Sequence, residues 1–331
     1  MVASTKAEKV LSKPVVSHTE KKRSLSSKSN IYNKKFIEKF FNILFLVCGI
    51  LCVAFVLLIS LFLIISGIPA IREIGVTNFL FGKVWNAQAE ILNAEGEVIG
   101  HGVFGILPFI VTSVYGTAAA TVISFPIGLL TAVFLSKIAN KTAAGIIHKS
   151  VELLAGIPSV IYGLVGLIVV VPAVQSAFNL SSGANLFSAI IILALMILPY
   201  MITISEEALR SVPVEYEHAS LALGATEIET YFKVSLKSAK SGIMSAVIQA
   251  IGRALGEAMA IIMVAGNVAN LPGLRDIFKS VRFLTTAIVS EMSYAEFGSL
   301  HRNALFSIGF VLFLFIMLIN TFLHFIKKEE N

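Results

Sequence analysis

Long apolar runs alternate with short charged segments along most of the chain. The first run, 40–69, contains no charged residue and can cross a bilayer as one helix. A second uncharged run, 153–205, is too long for one crossing at about 1.5 Å per residue, so we expect the polar insert 179–185 to divide it. The pattern predicts an all-α polytopic membrane protein with six spans. These spans lie near 40–69, 107–135, 157–177, 186–205, 242–266 and 303–323.

Composition agrees with that pattern. The 331 residues are 56% hydrophobic and 14% charged, whereas soluble domains are about 25% charged. The formal charge of +6 could suggest a nucleic-acid partner, but the basic residues lie in the N-terminal tail and between apolar runs, so we expect none. Nineteen of the 26 Lys and Arg residues fall on the side of the tail. Because cytoplasmic loops carry the excess of basic residues, both termini are predicted to be cytoplasmic, in the inner (plasma) membrane.

The predicted fifth span carries two charges. Its segment 248–267 is almost wholly apolar apart from Arg253 and Glu257, which a continuous helix would place one turn apart on one face. A charge at the centre of a membrane helix costs at least ~2.5–3.5 kcal/mol, so such residues usually line a protein interior or a wet cavity. The pattern therefore predicts a helix that lines the path of a charged solute. The alternative is an ion pair within the helix that only allows it to insert.

The charged segment after the fourth span has a helical pattern. Pro213 suits a helix start, Ala219 and Leu223 keep helical spacing, and Gly224 separates this piece from a second one. Segment 212–232 is therefore predicted to form a helix, a turn and a second helix across the end of the bundle. From composition alone, a helix resting on the lipid surface explains the segment equally well.

Segment 212–237 resembles the coupling loop of binding-protein-dependent ABC importer permeases. That loop reads Glu-Ala-Ala, three residues, Gly, nine residues, then Ile-x-Leu-Pro, and His218-Ala219-Ser220 with Gly224 fit this spacing. His218 replaces the usual Glu, and Lys237 replaces the usual Pro. Three further segments resemble the PstC-type permeases of phosphate importers. They are Phe104–Phe109, Glu152–Gly163 and Gly252–Asn267.

The resemblance implies a type I importer permease (MetI-like) fold with a cytoplasmic coupling helix, in a subunit of an ATP-driven phosphate importer. The implied partners are a PstB-type ATPase dimer, a second permease of PstA type, a PstS-type extracytoplasmic phosphate-binding protein and membrane lipid. The implied ATPase-coupling residues are Glu217, His218, Ala219, Leu223 and Gly224, and the implied substrate-path residues are Arg253 and Glu257. The Lys- and Ser-rich composition of 1–39 predicts a disordered basic tail. The predicted organisation continues with a first helix (40–69), an extracytoplasmic loop (70–106), a permease core (107–326) and a cytoplasmic end (327–331).

The two charged residues of the fifth span suit phosphate. The planar guanidinium of Arg253 can hold two phosphate oxygens. Phosphate near neutral pH still carries a P–OH group that can donate to Glu257, and sulfate carries none at that pH. Near the end of the fourth span, Glu206 and Arg210 have the spacing of a surface ion pair on a helix, with Arg210 a weaker candidate for a gate.

Other chemistry finds little support in the sequence. The chain contains no Gly-x-x-x-x-Gly-Lys-Ser/Thr phosphate loop, so we expect ATP and Mg²⁺ to bind the partner ATPase and this chain to be no enzyme. Its six His residues lack metal-ligand spacing, so no metal or other cofactor is expected. The alternatives left open are a sulfate or molybdate permease and a secondary transporter that works without ATP. Secondary transporters often show internal repeats, and none is seen here.

Overall fold

The computed structural model describes residues 18–92, 98–273 and 275–329, and these are predominantly helical. The helices are α1 (His18–Ile74), α2 (Val76–Phe81), α3 (Leu107–Val133), α4 (Lys141–Gly156), α5 (Ser159–Val165), α6 (Val171–Ala177), α7 (Leu186–Arg210), α8 (Val214–Ala222), α9 (Glu227–Thr230), α10 (Leu236–Ser238), α11 (Lys240–Gly256), α12 (Met259–Val264), α13 (Leu284–Glu291) and α14 (Leu300–Glu329). The strands are β1 (Trp85–Leu92) and β2 (Val98–Phe104). Short π-helical turns continue three of the helices, at Phe134–Ile138, Gly166–Val170 and Tyr231–Ser235.

Within the described ranges, five helical segments are long and apolar enough to cross a membrane. They are Ile37–Ile74, Leu107–Ile138, Ser159–Ala177, Leu186–Arg210 and Leu300–Phe322. Each coincides with one of the predicted spans. The prediction of one continuous helix at 242–266 is wrong, because the chain there forms α11 and α12 with a break at Glu257 and Ala258.

The chain divides into two units, residues 1–59 and 60–331. In the first unit α1 begins at His18, so residues 18–39 are helical where a disordered tail was predicted. The segment 18–39 contains no Gly or Pro and is rich in Lys, which is compatible with a helix. The remainder of the predicted tail, 1–17, lies outside the described residues.

The core of the second unit is built around α7. Leu193, Ile197 and Met201 on this helix are fully buried, and α3, α11 and α12 pack around it. At Gly128 of α3, an added Cβ would lie 2.7 Å from Cγ of Met201, so this contact requires a glycine. Small residues of this kind allow membrane helices to approach closely, and the close packing fixes the position of α7 relative to α3.

Two segments predicted as loops between spans contain regular structure. In 70–106, β1 and β2 form an antiparallel hairpin in which Trp85 pairs with Phe104. In 268–302, α13 has a buried first turn that packs in one cluster with the hairpin and α14. At Gly105 an added Cβ would lie 2.3 Å from the carbonyl carbon of Gly82, so two backbone segments touch there. The hairpin and α13 therefore belong to the packed body of this unit.

Candidate functional site

Two helices of the second unit are interrupted by short extended segments. Ile157 and Pro158 separate α4 from α5, and Glu257 and Ala258 separate α11 from α12. Ile157 (φ −69°, ψ 127°) and Glu257 (φ −75°, ψ 127°) have nearly the same backbone conformation. Irregular backbone at membrane depth is tolerated where protein buries it or where it lines a water-filled cavity. The interruptions are thus natural places for a polar path.

The helices that follow the interruptions pack tightly on each other. Gly163 of α5 faces α12, where an added Cβ would lie 2.9 Å from Cα of Ala260 and 2.8 Å from Sδ of Met263. Because one of these neighbours is backbone, a side chain at position 163 would force the two helices apart. The α5–α12 contact therefore holds both interruptions in one place.

Arg253 lies in the last turn of α11, directly before the second interruption. Its guanidinium carbon lies 4.1 Å from the ring centroid of Tyr200 on α7. The side chain is half-buried, and among the described residues its Nε atom is buried without a hydrogen-bond partner. Stacking on an aromatic face positions the cation but leaves its N–H groups available. This arrangement suits transient binding of an anion.

Two tyrosines connect Arg253 to the first interruption. The hydroxyl of Tyr162 donates to the carbonyl of Leu154 at 2.8 Å, and the hydroxyl of Tyr200 donates to the carbonyl of Ala155 at 3.5 Å. Both carbonyls belong to the last turn of α4, where the regular donors four residues further along the helix are missing. The two phenols and the guanidinium therefore form one polar cluster across α4, α5, α7 and α11.

Glu257 does not sit on the helix that carries Arg253, so the expected pair one turn apart on a single helical face is wrong. Its carboxylate oxygen Oε1 accepts a hydrogen bond from the backbone N–H of Ala260 at 2.9 Å, at the start of α12. Its backbone carbonyl accepts from the hydroxyl of Thr285 at 2.7 Å. The carboxylate side chain thus supports the interruption, and its role in a substrate path stays a prediction.

The predicted helix, turn and helix at 212–232 are confirmed. Pro213 precedes α8, and Gly224 has φ +89°, the left-handed conformation that favours glycine. Thr226 then caps α9 in a capping box with Glu229. Large apolar side chains are exposed on the outer side of this segment, with Leu223 90% exposed and Ile228 66% exposed.

The predicted ATPase-coupling residues divide between two sides of this segment. His218, Ala219, Leu223 and Gly224 are exposed. Glu217 instead turns toward its own chain, where its carboxylate contacts Lys137 and Ser235. The exposed members and the apolar residues beside them form a surface that a partner can contact.

At the end of α7 nearest α8, Glu206 and Arg210 form the predicted ion pair at 2.7 Å, but it is not a surface pair. The Glu206 side chain is only 4% exposed, while Arg210 is exposed. His148 of α4 approaches the same carboxylate, with its Nδ1 atom 3.5 Å from Oε2 of Glu206. Across the described part of the chain, no group of three or more His, Cys, Asp or Glu side chains is placed to hold a metal ion.

A buried carboxylate that the sequence did not reveal connects the two structured segments between spans. Glu291 at the end of α13 accepts from Nε1 of Trp85 at 2.9 Å and contacts Nε2 of His301 at 2.7 Å. Its other oxygen pairs with Arg282, whose guanidinium also donates to the carbonyl of Asn267. Burial acts to raise the pKa of Glu291, but hydrogen bonds from His301 and Trp85 and the charge of Arg282 outweigh it and hold the pKa below its usual value.

Comparisons with known proteins give a consistent result. A family model described as "Binding-protein-dependent transport system inner membrane component" matches residues 124–328. The probable ABC transporter permease protein YqgH of Bacillus subtilis is 34% identical over 278 residues, which is 82% of this chain and 86% of that protein. The phosphate transport system permease protein PstC 2 of Mycobacterium tuberculosis is 30% identical over 302 residues, which is 86% of this chain and 89% of that protein.

Solved structures show the same fold at lower identity. A chain from an inward-facing structure of the MetNI methionine ABC transporter superposes with a TM-score of 0.52 at 23% identity, covering 68% of this chain and 98% of that chain. A chain of a bacterial ABC transporter that imports alginate superposes with a TM-score of 0.52 at 13% identity, covering 68% of this chain and 79% of that chain. These two likenesses concern the fold alone.

Proposed function

The chain belongs to the family of binding-protein-dependent transport system inner membrane components, and from that premise we propose that it is the PstC-type permease subunit of an ATP-driven phosphate importer. As a multi-pass permease of an ABC importer, it would form half of the translocation path. The proposed partners are an ATPase dimer that binds ATP and Mg²⁺, a second permease, and an extracytoplasmic phosphate-binding protein. The PstC name of the Mycobacterium tuberculosis relative and the sequence segments 104–109, 152–163 and 252–267 support phosphate as the substrate.

The observation that carries this proposal is the environment of Arg253. A guanidinium is stacked on Tyr200, has a buried N–H group without a partner among the described residues, and lies beside a helix interruption. A half-buried cation without a carboxylate partner among the described residues suits an anion that visits it during transport. The planar fork of N–H groups matches two oxygens of phosphate.

Glu257 is proposed to contribute the preference for a protonated oxyanion. One of its carboxylate oxygens, Oε1, accepts from the backbone of Ala260. The second oxygen can accept a hydrogen bond from the P–OH group of phosphate, whereas sulfate has no such donor and would meet only a negative charge. A sulfate or molybdate permease is the remaining alternative within this class.

The segment 212–232 is the proposed docking site of the ATPase. An amphipathic helix commonly binds a partner by placing its apolar residues in a groove, and Leu223 and Ile228 are large apolar side chains left exposed here. With this end in the cytoplasm, both termini would lie inside the cell at the plasma membrane, and segments 70–106 and 268–302 would face the binding protein.

The test replaces Arg253 in the complete transporter. The complex is reconstituted in liposomes with ATP inside and binding protein outside, and phosphate uptake is measured for wild type and Arg253→Gln. Uptake should fall by ~100-fold, since loss of a charged hydrogen-bonding group costs about 3 kcal/mol at a buried site. Lys149→Gln, which removes an exposed cation from α4, is the matched control and should transport normally.

Two outcomes would count against the proposal. Normal phosphate uptake by an assembled Arg253→Gln complex would exclude the path role of Arg253. Uptake by the wild-type chain without nucleotide would indicate the alternative class, a secondary transporter. Competition by sulfate, compared between wild type and Glu257→Gln, separates phosphate from the other oxyanions.

A further inference from the structure

Glu217 is the charged residue of α8 that turns inward. Its carboxylate pairs with Nζ of Lys137 and accepts a hydrogen bond from the hydroxyl of Ser235 at 2.8 Å. The two charged side chains are 13% and 11% exposed, whereas the neighbouring Glu215 and His218 are exposed. Lys137, Glu217 and Ser235 are called the Glu217 junction below.

The Glu217 junction joins three different parts of the chain. Lys137 lies in the π-helical turn Phe134–Ile138 that continues α3, and Ser235 lies in the π-helical turn Tyr231–Ser235 that leads through α10 into α11. A single oxygen, Oε1 of Glu217, contacts both. π-helical turns are rare and occur frequently at functional sites, and here two of them supply the partners of one carboxylate.

The environment of Glu217 favours its ionised carboxylate. Burial acts to raise the pKa of Glu217, but hydrogen bonds from Lys137 and Ser235 and the charge of Lys137 lower it below its usual value. The pair is only 11–13% exposed, and the Ser235 hydroxyl bonds to the same carboxylate oxygen, so water screens it less than it screens a surface pair. The pair can therefore transmit a displacement that a mobile surface pair would absorb.

The other contacts of the coupling segment that the described residues make are local or exposed. A second hydrogen bond, between the hydroxyls of Ser220 and Thr230 at 2.9 Å, ties α8 to α9 within the coupling segment. The pair Glu229–Lys233 is exposed and lies within the segment as well. Among these contacts, the Glu217 junction is the one that crosses from α8 to a membrane-spanning helix.

We propose that the Glu217 junction transmits movement of the coupling segment to the transmembrane helices, with Glu217 as the joint and Lys137 as the positioning residue on α3. A partner that pulls on the exposed side of α8 then moves the end of α3 and the start of α11 together. This inference rests on the proposed function in one respect, the docking of an ATPase on segment 212–232.

The first experiment measures coupling in the reconstituted four-component transporter. Phosphate uptake and ATP hydrolysis are recorded together for wild type, Glu217→Gln, Lys137→Gln, the milder Ser235→Ala, the single charge reversal Glu217→Lys, and the charge-reversed double variant Lys137→Glu/Glu217→Lys. Glu152→Gln, an exposed carboxylate on α4, is the control. The phosphate transported per ATP hydrolysed should fall by ~10-fold in Glu217→Gln and Lys137→Gln, within the usual range of coupling between sites.

The double variant separates transmission from simple structural support. Charge reversal restores the ion pair with opposite polarity, and the Ser235 hydroxyl can accept from a lysine as readily as it donates to a carboxylate. The transport-to-hydrolysis ratio should therefore recover in the double variant and not in Glu217→Lys alone. An unchanged ratio in Glu217→Gln, or equal loss in the double variant and Glu217→Lys, would overturn the proposal. Ser235→Ala should lower the ratio less than either charge variant, and a loss equal to theirs would count against the ion pair as the joint.

A second measurement does not depend on the substrate. Spin labels are attached through cysteines introduced at the exposed positions Tyr216 and Ile138, with Cys48 and Cys52 replaced. When the docked ATPase binds nucleotide, the distribution of distances between the two labels should stay unchanged in wild type and become broader in Glu217→Gln. Equal distributions in the two proteins would refute transmission. If the wild-type complex closes on ATP but moves no phosphate, phosphate is not the substrate, and the spin-label test of the junction still stands. If no ATPase docks on the chain, both the proposed function and the proposed role of the junction are wrong.

Discussion

Replacing Glu291 by Gln should weaken the packing of the second unit measurably. The carboxylate is 7% exposed, pairs with Arg282 and His301 of its own segment, and accepts a hydrogen bond from Trp85 of the hairpin. Gln keeps the size and one acceptor oxygen, but it leaves the guanidinium without its ion-pair partner. Removing one partner of a buried pair costs about 3–5 kcal/mol. Because one oxygen acceptor remains, the lower end, ~3 kcal/mol, is the expected loss.

The loss in free energy of unfolding can be measured through the intrinsic fluorescence of Trp85. Trp85 is the sole tryptophan of the chain, and its indole N–H donates to Glu291 itself. For a unit of this size, a change of 1 kcal/mol shifts the unfolding midpoint by about 2–4 °C, so Glu291→Gln should unfold ~6–12 °C below wild type. The assay is thermal unfolding of the detergent-solubilised full chain, followed by tryptophan fluorescence and by circular dichroism.

The matched control is Asp276→Asn. This residue makes an exposed pair with Lys279 in the same segment between spans, and such pairs contribute little. Its midpoint should stay within ~1 °C of wild type. An unfolding midpoint of Glu291→Gln equal to that of the control would refute the reasoning, because it would mean that the three donors do not depend on the charge.

Three further outcomes follow from the same structure. The stabilising contribution of Glu291 is complete above its unfolded pKa of 4.5 and is lost as the pH falls through its lower folded pKa, so acid should narrow the difference in midpoint between wild type and Glu291→Gln. Gly163→Ala should destabilise the chain by about 1–3 kcal/mol through its clash with α12, whereas Gly145→Ala, which meets no neighbour, should be neutral or slightly stabilising in the same unfolding assay. Gly224→Ala should cost about 1–2 kcal/mol because of the left-handed backbone at this position, and it should lower ATP hydrolysis stimulated by binding protein in the reconstituted complex.

The sequence predicted the helices whose signal is local. The length of an uncharged run such as 40–69 predicts a membrane span, and Pro213 and Gly224 indicate the start and the end of a short helix. The interruption at Glu257 has no such signal, because the spacing of Arg253 and Glu257 is equally compatible with a continuous helix. It is stabilised by the backbone of Ala260 and by the hydroxyl of Thr285, which lies 28 residues later in the chain.

The side chains that tertiary contacts pair over long distances could not be predicted. Trp85 and Glu291 are 206 positions apart, and no spacing rule connects them. From the sequence, Lys137 is only one of the basic residues that predict the orientation of the spans in the membrane. Its contact with Glu217 depends on how the end of α3 meets α8, which is decided by packing and not by a motif.

The positions of the Glu217 junction and of Arg253 on the chain explain how one movement could change both. Ser235 precedes α11 by a few residues. Arg253 lies near the other end of that helix, about 20 Å from its first residue, Lys240, at about 1.5 Å per residue. A straight helix of that length carries a displacement of its first turn to its last. The interruption at Glu257 ends this rigid segment directly after Arg253, so α12 can stay packed on Gly163 while α11 shifts. If the Glu217 junction transmits movement as proposed, such a shift would displace Arg253 relative to α5 and α12.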